Sequence, residues 1–276
     1  MATQCWMVGR VETALGYEDA AHRVIGSGRG QMPFGIESFI GGAYLAIGQP
    51  ERTVELCRAQ LAQGRDSYGF TRVSLVLALT LAGSHDEAMA VGRSLIDSAE
   101  ATRNPWAHSL ALFSCGFAFS ATDSVRALDA MRRGLVIAQD SGNRANESLL
   151  AATVSRIEAE HGDPLAALDY VTLTIRNYHD AGNTSGVCDA LAILAALFDR
   201  LGRHQPAATM AGLALSPFTA MAIPEINTAI THLRDVLGEA TYESLARKGE
   251  TMTTAAMVTY ADDQIDQART QLEHPD

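Results

Sequence analysis

Asn146–Tyr178, NESLLAATVSRIEAEHGDPLAALDYVTLTIRNY, reads as two helices and the turn that folds one back on the other. Leu150, Val154, Ile157 and His161 step by 4, 3 and 4, which places them on one face of a helix. Gly162-Asp163-Pro164 stops that helix and starts the next, with proline in the first turn where its missing N–H costs nothing. Leu168, Val171, Ile175 and Tyr178 then continue by 3, 4 and 3. Each apolar stripe is too narrow to stand alone in water, so the two helices must bury against each other and against adjoining pairs.

The same design recurs on both sides. Leu110, Phe113 and Phe117 precede a break near Ala121-Thr122-Asp123, and Leu128, Met131, Leu135 and Ala138 follow it. Val187, Leu191, Leu194 and Phe198 precede Leu201-Gly202-Arg203, and Ala207, Ala211 and Leu215 follow. Val73, Leu77 and Leu81 precede Gly83-Ser84-His85-Asp86, where Ser84 or Asp86 is placed to cap the next helix. Taking Gly16, Gly48, Gly83, Ala121, Gly162 and Gly202 as the breaks, a small residue follows each by five or six positions: Ala21, Thr53, Ala88, Ala127, Ala167 and Ala207. Their successive differences are 32, 35, 39, 40 and 40 residues. A period of that size marks stacked supersecondary units, with the small residue where the paired helices cross most closely. The longer connection repeats as well. Gly142 and Gly182 lie 40 residues apart in matching Ser-Gly-Asn and Ala-Gly-Asn turns, each suited to a left-handed helix cap.

The expected fold is all-α: a right-handed superhelical solenoid of about six antiparallel helix pairs over residues 1–224. Residues 225–276 form a C-terminal helical cap, with helices near Glu225–Leu237, Glu239–Gly249 and Thr254–Leu272. With Gly16 as the first break, only a short helix precedes it, so the first pair is expected to be trimmed. Gly26-Ser27-Gly28-Arg29-Gly30 and Gln31-Met32-Pro33 read as a connecting loop.

Composition bounds the function. The chain has 276 residues, 47% of them hydrophobic and only 6% aromatic, enough for a large core of small helical contacts. The net charge is −11, unevenly spread: residues 1–138 carry 12 basic and 13 acidic side chains, residues 139–276 carry 9 and 19. That acidic second half repels phosphate backbones, so direct nucleic-acid binding by this segment is not expected. The longest strongly apolar run, Val73–Ala82, is far short of the ~20 residues a bilayer span needs. No signal-peptide pattern opens the sequence, and the expected location is cytoplasmic. Cys5, Cys57, Cys115 and Cys188 are widely spaced among apolar neighbours and read as buried reduced thiols.

Motifs that carry chemistry are absent. The glycine-rich 26–30 stretch lacks the Gly-Lys-Ser/Thr ending of a phosphate loop, and no strand pattern precedes it. The eight histidines include no pair spaced to hold a metal on one helix face; His85, His161 and His204 read as exposed turn residues. His22, three residues after Asp19, is placed for a local hydrogen bond only. Asp262, Asp263 and Asp266 read as a solvated acidic face, and Trp6 and Trp106 as core residues with binding anchor as the alternative. No serine-hydrolase elbow appears. The sequence thus offers no catalytic, cofactor-binding or metal-ligating set, and its periodicity alone does not divide partner-binding positions from packing positions.

The helix pairs and the ~40-residue period resemble tetratricopeptide-like repeats of the longer, MalT-like kind. Leu191–Ala195 through Leu201-Gly202-Arg203-His204-Gln205-Pro206-Ala207-Ala208 resembles the last repeat of large actinobacterial ATP-binding regulators of the LuxR class. Leu237–Gly249 and Met252–Ala261 resemble the segment that closes that array. The resemblance implies a non-catalytic sensor and interaction module of a signal-responsive transcriptional regulator, binding a protein, peptide or small-molecule inducer in the superhelical groove. The nucleotide-binding and helix-turn-helix modules of that family have no counterpart here: no Walker motif occurs. The alternative expectation is a free-standing adaptor that holds a partner peptide or protein.

Overall fold

The computed structural model describes residues 2–26, 41–120 and 122–274, and among them every regular element is helical. The helices come in consecutive pairs: α1 (Ala2–Met7) with α2 (Val11–Gly26), α3 (Gly41–Ala46) with α4 (Pro50–Ala62), and α5 (Phe70–Leu81) with α6 (His85–Thr102). Then come α7 (Pro105–Phe119) with α8 (Ser124–Asp140), α9 (Arg144–His161) with α10 (Pro164–Asp180), and α11 (Thr184–Arg200) with α12 (His204–Ala214). Four further helices follow: α13 (Pro217–Ala222), α14 (Glu225–Leu237), α15 (Glu239–Glu250) and α16 (Thr254–Glu273). The last three match their expected spans to within a residue. The short α13 is a surplus, set off by a Ser216–Thr219 capping box after α12 ends at Ala214; Leu215, expected to extend the α12 stripe, is instead half exposed.

The chain divides into two compact units, Met1–Leu150 and Ala151–Asp276. In the first, each helix packs on its neighbour in the chain, and the first helix of each pair also touches the first of the next: α1 on α3, α3 on α5, α5 on α7. This is the contact pattern of stacked repeats. In the second unit α11 packs on both α10 and α12; α14 lies on α11 and α12, α15 on α12, and α16 on α10. The helices after Pro224 therefore share one core with the last repeats.

The small residues sit where the spacing put them. Thr53, Ala88, Ala127, Ala167 and Ala207 are all fully buried. The first rung, however, is misplaced in the sequence reading. Gly16 lies inside α2 with open space around it, and is no break. The break is Gly9, whose φ of 76° is left-handed and whose neighbour Arg10 donates its N–H back to the Cys5 carbonyl at 2.7 Å. Five residues on, Ala14 is fully buried. Gly9 and Ala14 thus repeat the five-residue arm of Gly48–Thr53, Gly83–Ala88, Gly162–Ala167 and Gly202–Ala207, and the first interval becomes 39 residues instead of 32.

The turns use two recurrent devices. At Gly182 the backbone is left-handed, and Asn183 N–H reaches back to the Tyr178 carbonyl at 2.9 Å; Asn143 after Gly142 does the same to Ala138 at 2.8 Å. Those asparagines then cap the following helices, accepting from the Gly186 and Asn146 amides at 2.9 and 3.2 Å. Asp123 and Asp163 do the equivalent work at the tight turns inside pairs. Ser84 and Asp86 do not: Ser84 holds the N-cap position without a side-chain bond, and Asp86 lies in the first turn, where its charge complements the helix dipole. The core stripes also shift in α5, where Val73, Val76 and Leu79 are buried but Leu77 and Leu81 only partly so. A helix that contacts neighbours on several sides carries apolar residues almost all round, and its pattern no longer marks one face.

Candidate functional site

The second unit contains a shallow cleft open to solvent. Arg156, Ala159 and Glu160 of α9 form one wall, Ile193, Ala196, Leu197 and Arg200 of α11 the floor, and Ile223 and Glu225 the far side. Both α9 and α11 are first helices of their pairs, so helices in equivalent positions shape the cleft. Glu225 opens α14 and is fastened across it. Arg156 Nε donates to its two carboxylate oxygens at 3.0 and 3.1 Å, and Nη2 donates to Oε1 at 2.8 Å. This forked pair is mostly buried, with side chains 16% and 23% exposed, a geometry suited to guanidinium and carboxylate. Arg200 Nη1 donates to the Ala159 carbonyl, linking the C-terminal turns of α9 and α11. The result is an aliphatic floor between charged rims.

On α11, Asp189, Ile193, Ala196 and Arg200 step by 4, 3 and 4 and share one face, so Asp189 continues the cleft stripe toward the helix N-terminus. Its side chain is half-buried and makes no hydrogen bond or ion pair among the described residues. Loss of water around it pushes the carboxyl up to about 8, well above the usual carboxylate range. The adjacent Cys188 thiol is pushed up to about 11, by its own burial and then by the nearby aspartate. Tyr178, buried in α10, is raised for the same two reasons.

A second cluster lies where α11 turns into α12. Asp199, in the last turn of α11, is 8% exposed, and both carboxylate oxygens meet His232 Nδ1 of α14, at 2.9 and 3.0 Å. His204, first residue of α12, sets its ring edge-on to that of His232 with centroids 5.6 Å apart. One nitrogen or oxygen donor from each of the three residues lies within 4.8 Å of the others. Between Asp199 and His204 the chain is fastened by Arg203, which stacks over Phe198 and donates to Gln264, Gln267 and Gln271 of α16 at 2.9, 3.1 and 2.6 Å.

Sequence inspection missed this cluster because its members come from three helices, and only pairs on one helix face are visible in spacing. The expectation that His204 is an exposed turn residue is corrected: it is half-buried against His232. His85 is likewise half-buried, while His161 is exposed. Trp106 is half-buried and stacks on Phe70 at 5.5 Å, nearly parallel, and Trp6 is half-buried. All four cysteines are free; Cys57 and Cys115 are buried as expected, but Cys5 and Cys188 only partly. Burial pushes Cys57 up to about 12, leaving it a protonated, unreactive thiol. Asp262, Asp263 and Asp266 are exposed on α16. The 27–33 part of the glycine-rich loop, Ala121 and the side chains of Ala21 and His22 fall outside the described residues. No helix among those described is long and apolar enough to cross a membrane. No protein-family model matches this sequence, and no curated protein matches it.

Proposed function

We propose that this chain is a non-catalytic sensor and interaction module of a signal-responsive bacterial transcriptional regulator, built as a right-handed superhelical solenoid with the helices after Pro224 as its cap. The observation that carries the reading is the α9–α11 cleft. Helices in equivalent positions of successive pairs line it, as a solenoid's groove requires. The cleft is open to solvent and encloses only about 30 Å³, far below the ~300–1,000 Å³ of typical small-molecule sites, which favours one side chain of a docked peptide over a drug-sized inducer. The aliphatic floor with guanidinium and carboxylate rims suits an apolar anchor residue flanked by charge. The resemblance of residues 191–208 and 237–261 to LuxR-class regulators supplies the link to transcription.

A photo-crosslinking residue in place of Glu160, at the cleft wall, is expected to yield one discrete protein adduct in the source cell, identified by mass spectrometry. The same residue at Arg132 serves as the control. Identical adducts from both positions, or none from Glu160, would sink the docking reading. The reading frames beside the gene test the regulator: nucleotide-binding and helix-turn-helix modules adjoining this segment support it, and their absence leaves the free-standing adaptor. Small-angle scattering tests the architecture, since a solenoid gives an elongated body and a compact sphere refutes it.

A further inference from the structure

We propose that Asp199, His204 and His232 form a binding site for one divalent transition-metal ion, with Zn²⁺ the best-fitting case. Two imidazoles and one carboxylate are a donor set for borderline ions such as zinc, cobalt, nickel and copper, and a poor one for calcium or magnesium. The ligands come from three elements, α11, α12 and α14, so an ion would join the last helix pair to the helix lying across it. The spacing is close to what an ion needs. Metal–ligand bonds of about 2.0–2.2 Å at tetrahedral angles put neighbouring donors roughly 3.3 Å apart. Asp199 and His232 already stand at 2.9 Å, and no chosen donor is farther than 4.8 Å from another. His232 is 52% exposed, which leaves its side chain room to turn toward His204. The ion takes the place of the hydrogen bond between Nδ1 and the carboxylate.

Two details distinguish this arrangement from a structural Asp–His pair. His204 adds nothing to such a pair: its ring makes no hydrogen bond among the described residues, yet it lies edge-on to His232. Asp199 is nearly buried at the C-terminal end of α11, where the carbonyl dipoles add partial negative charge, and His232 is its only side-chain partner among the described residues. A nearly buried carboxylate with one side-chain partner has lone pairs left to satisfy and is well suited to a cation. With three protein ligands, a fourth position remains on the exposed His232 side.

The test uses the full chain without an affinity tag, stripped with a chelator, and titrated with Zn²⁺ by calorimetry and with Co²⁺ by visible absorption. One equivalent of each should bind, Co²⁺ giving the ligand-field bands of a low-coordinate N/O site. His204→Ala should weaken Zn²⁺ binding by at least the roughly ten- to hundred-fold that loss of a group merely supporting a ligand costs. Because His204 makes no hydrogen bond of its own, that variant should melt like the parent in the metal-free state. His232→Gln should weaken binding similarly, and His161→Ala should leave it unchanged. Absence of saturable binding, or binding unaffected by His204→Ala, would overturn the site. The outcome is independent of whether the α9–α11 cleft docks a peptide.

Discussion

At the scale of single residues, Asp189 is the group that departs most from ordinary behaviour. Burial raises its folded-state pKa to about 8, against roughly 4 in an unfolded chain. The folded protein therefore binds this proton more tightly than the unfolded chain does. That contribution to stability is fully present below about pH 4 and is lost as pH rises through about 8. Asp189→Asn should flatten this decline and raise the melting temperature above pH 8 relative to the parent. Parallel melting curves for parent and variant across that range would show that the carboxyl is ordinarily solvated. Ala167 makes a second residue-scale case. It is fully buried, and its carbonyl accepts the Ser155 hydroxyl at 2.9 Å, tying α10 to α9 at the point of contact. Ala167→Leu should cost roughly 1–3 kcal/mol by overpacking, read from urea denaturation; an unchanged midpoint would mean the helices have room to spare.

At the scale of elements, the α12–α15 crossing is set by glycine. A methyl group on Gly249 would fall 1.7 Å from the Thr209 carbonyl oxygen, and one on Gly212 would fall 1.9 Å from that of Ala246. Backbone cannot retreat as a flexible side chain can. Gly249→Ala should therefore destabilise by about 1–3 kcal/mol even though alanine gains up to ~1 kcal/mol in helix propensity. Net stabilisation in a thermal melt would refute the close approach. Much at this scale was legible in sequence. The 4,3,4 stripes and the Gly-Asn turns are local, and local chemistry is written in neighbouring residues; the cap bond expected of Ser84 or Asp86 does not form, while Asp163 and Asn183 cap their helices without having been singled out. What was not legible depended on tertiary contact. Gly16 looked like a break because glycine is common at helix ends, but Gly9 has the backward bond from Arg10. The Asp199–His204–His232 cluster needed α14 to cross the α11–α12 turn, and no spacing along one chain segment encodes that crossing.

At the scale of the whole molecule, charge is the governing asymmetry. Residues 139–276 carry 9 basic against 19 acidic side chains. The forked Arg156–Glu225 pair and the contacts of Arg269 with Asp169 and of Arg234 with Glu243 use three of the nine, leaving the acidic excess to repel itself. Surface pairs contribute only about 0–1 kcal/mol each, so screening the excess should outweigh weakening the pairs. The melting temperature is expected to rise with added salt at neutral pH; a fall would show that the ion pairs dominate. The same excess predicts no retention on duplex DNA at physiological salt, checked by fluorescence anisotropy.

The matched turns at Gly142-Asn143 and Gly182-Asn183 have one more consequence. Each pairs a left-handed glycine with a capping asparagine, and they lie 40 residues apart. Joining Gly142 directly to Asn183 would remove one full period and recreate the same junction, residue for residue. Gene copies misaligned by one period during recombination would therefore produce shorter or longer chains that keep every turn intact. A chain shortened that way keeps its turn chemistry but loses α10, on which α16 packs, and Arg156, which fastens Glu225, so the length of the array is tied to the helices that close it.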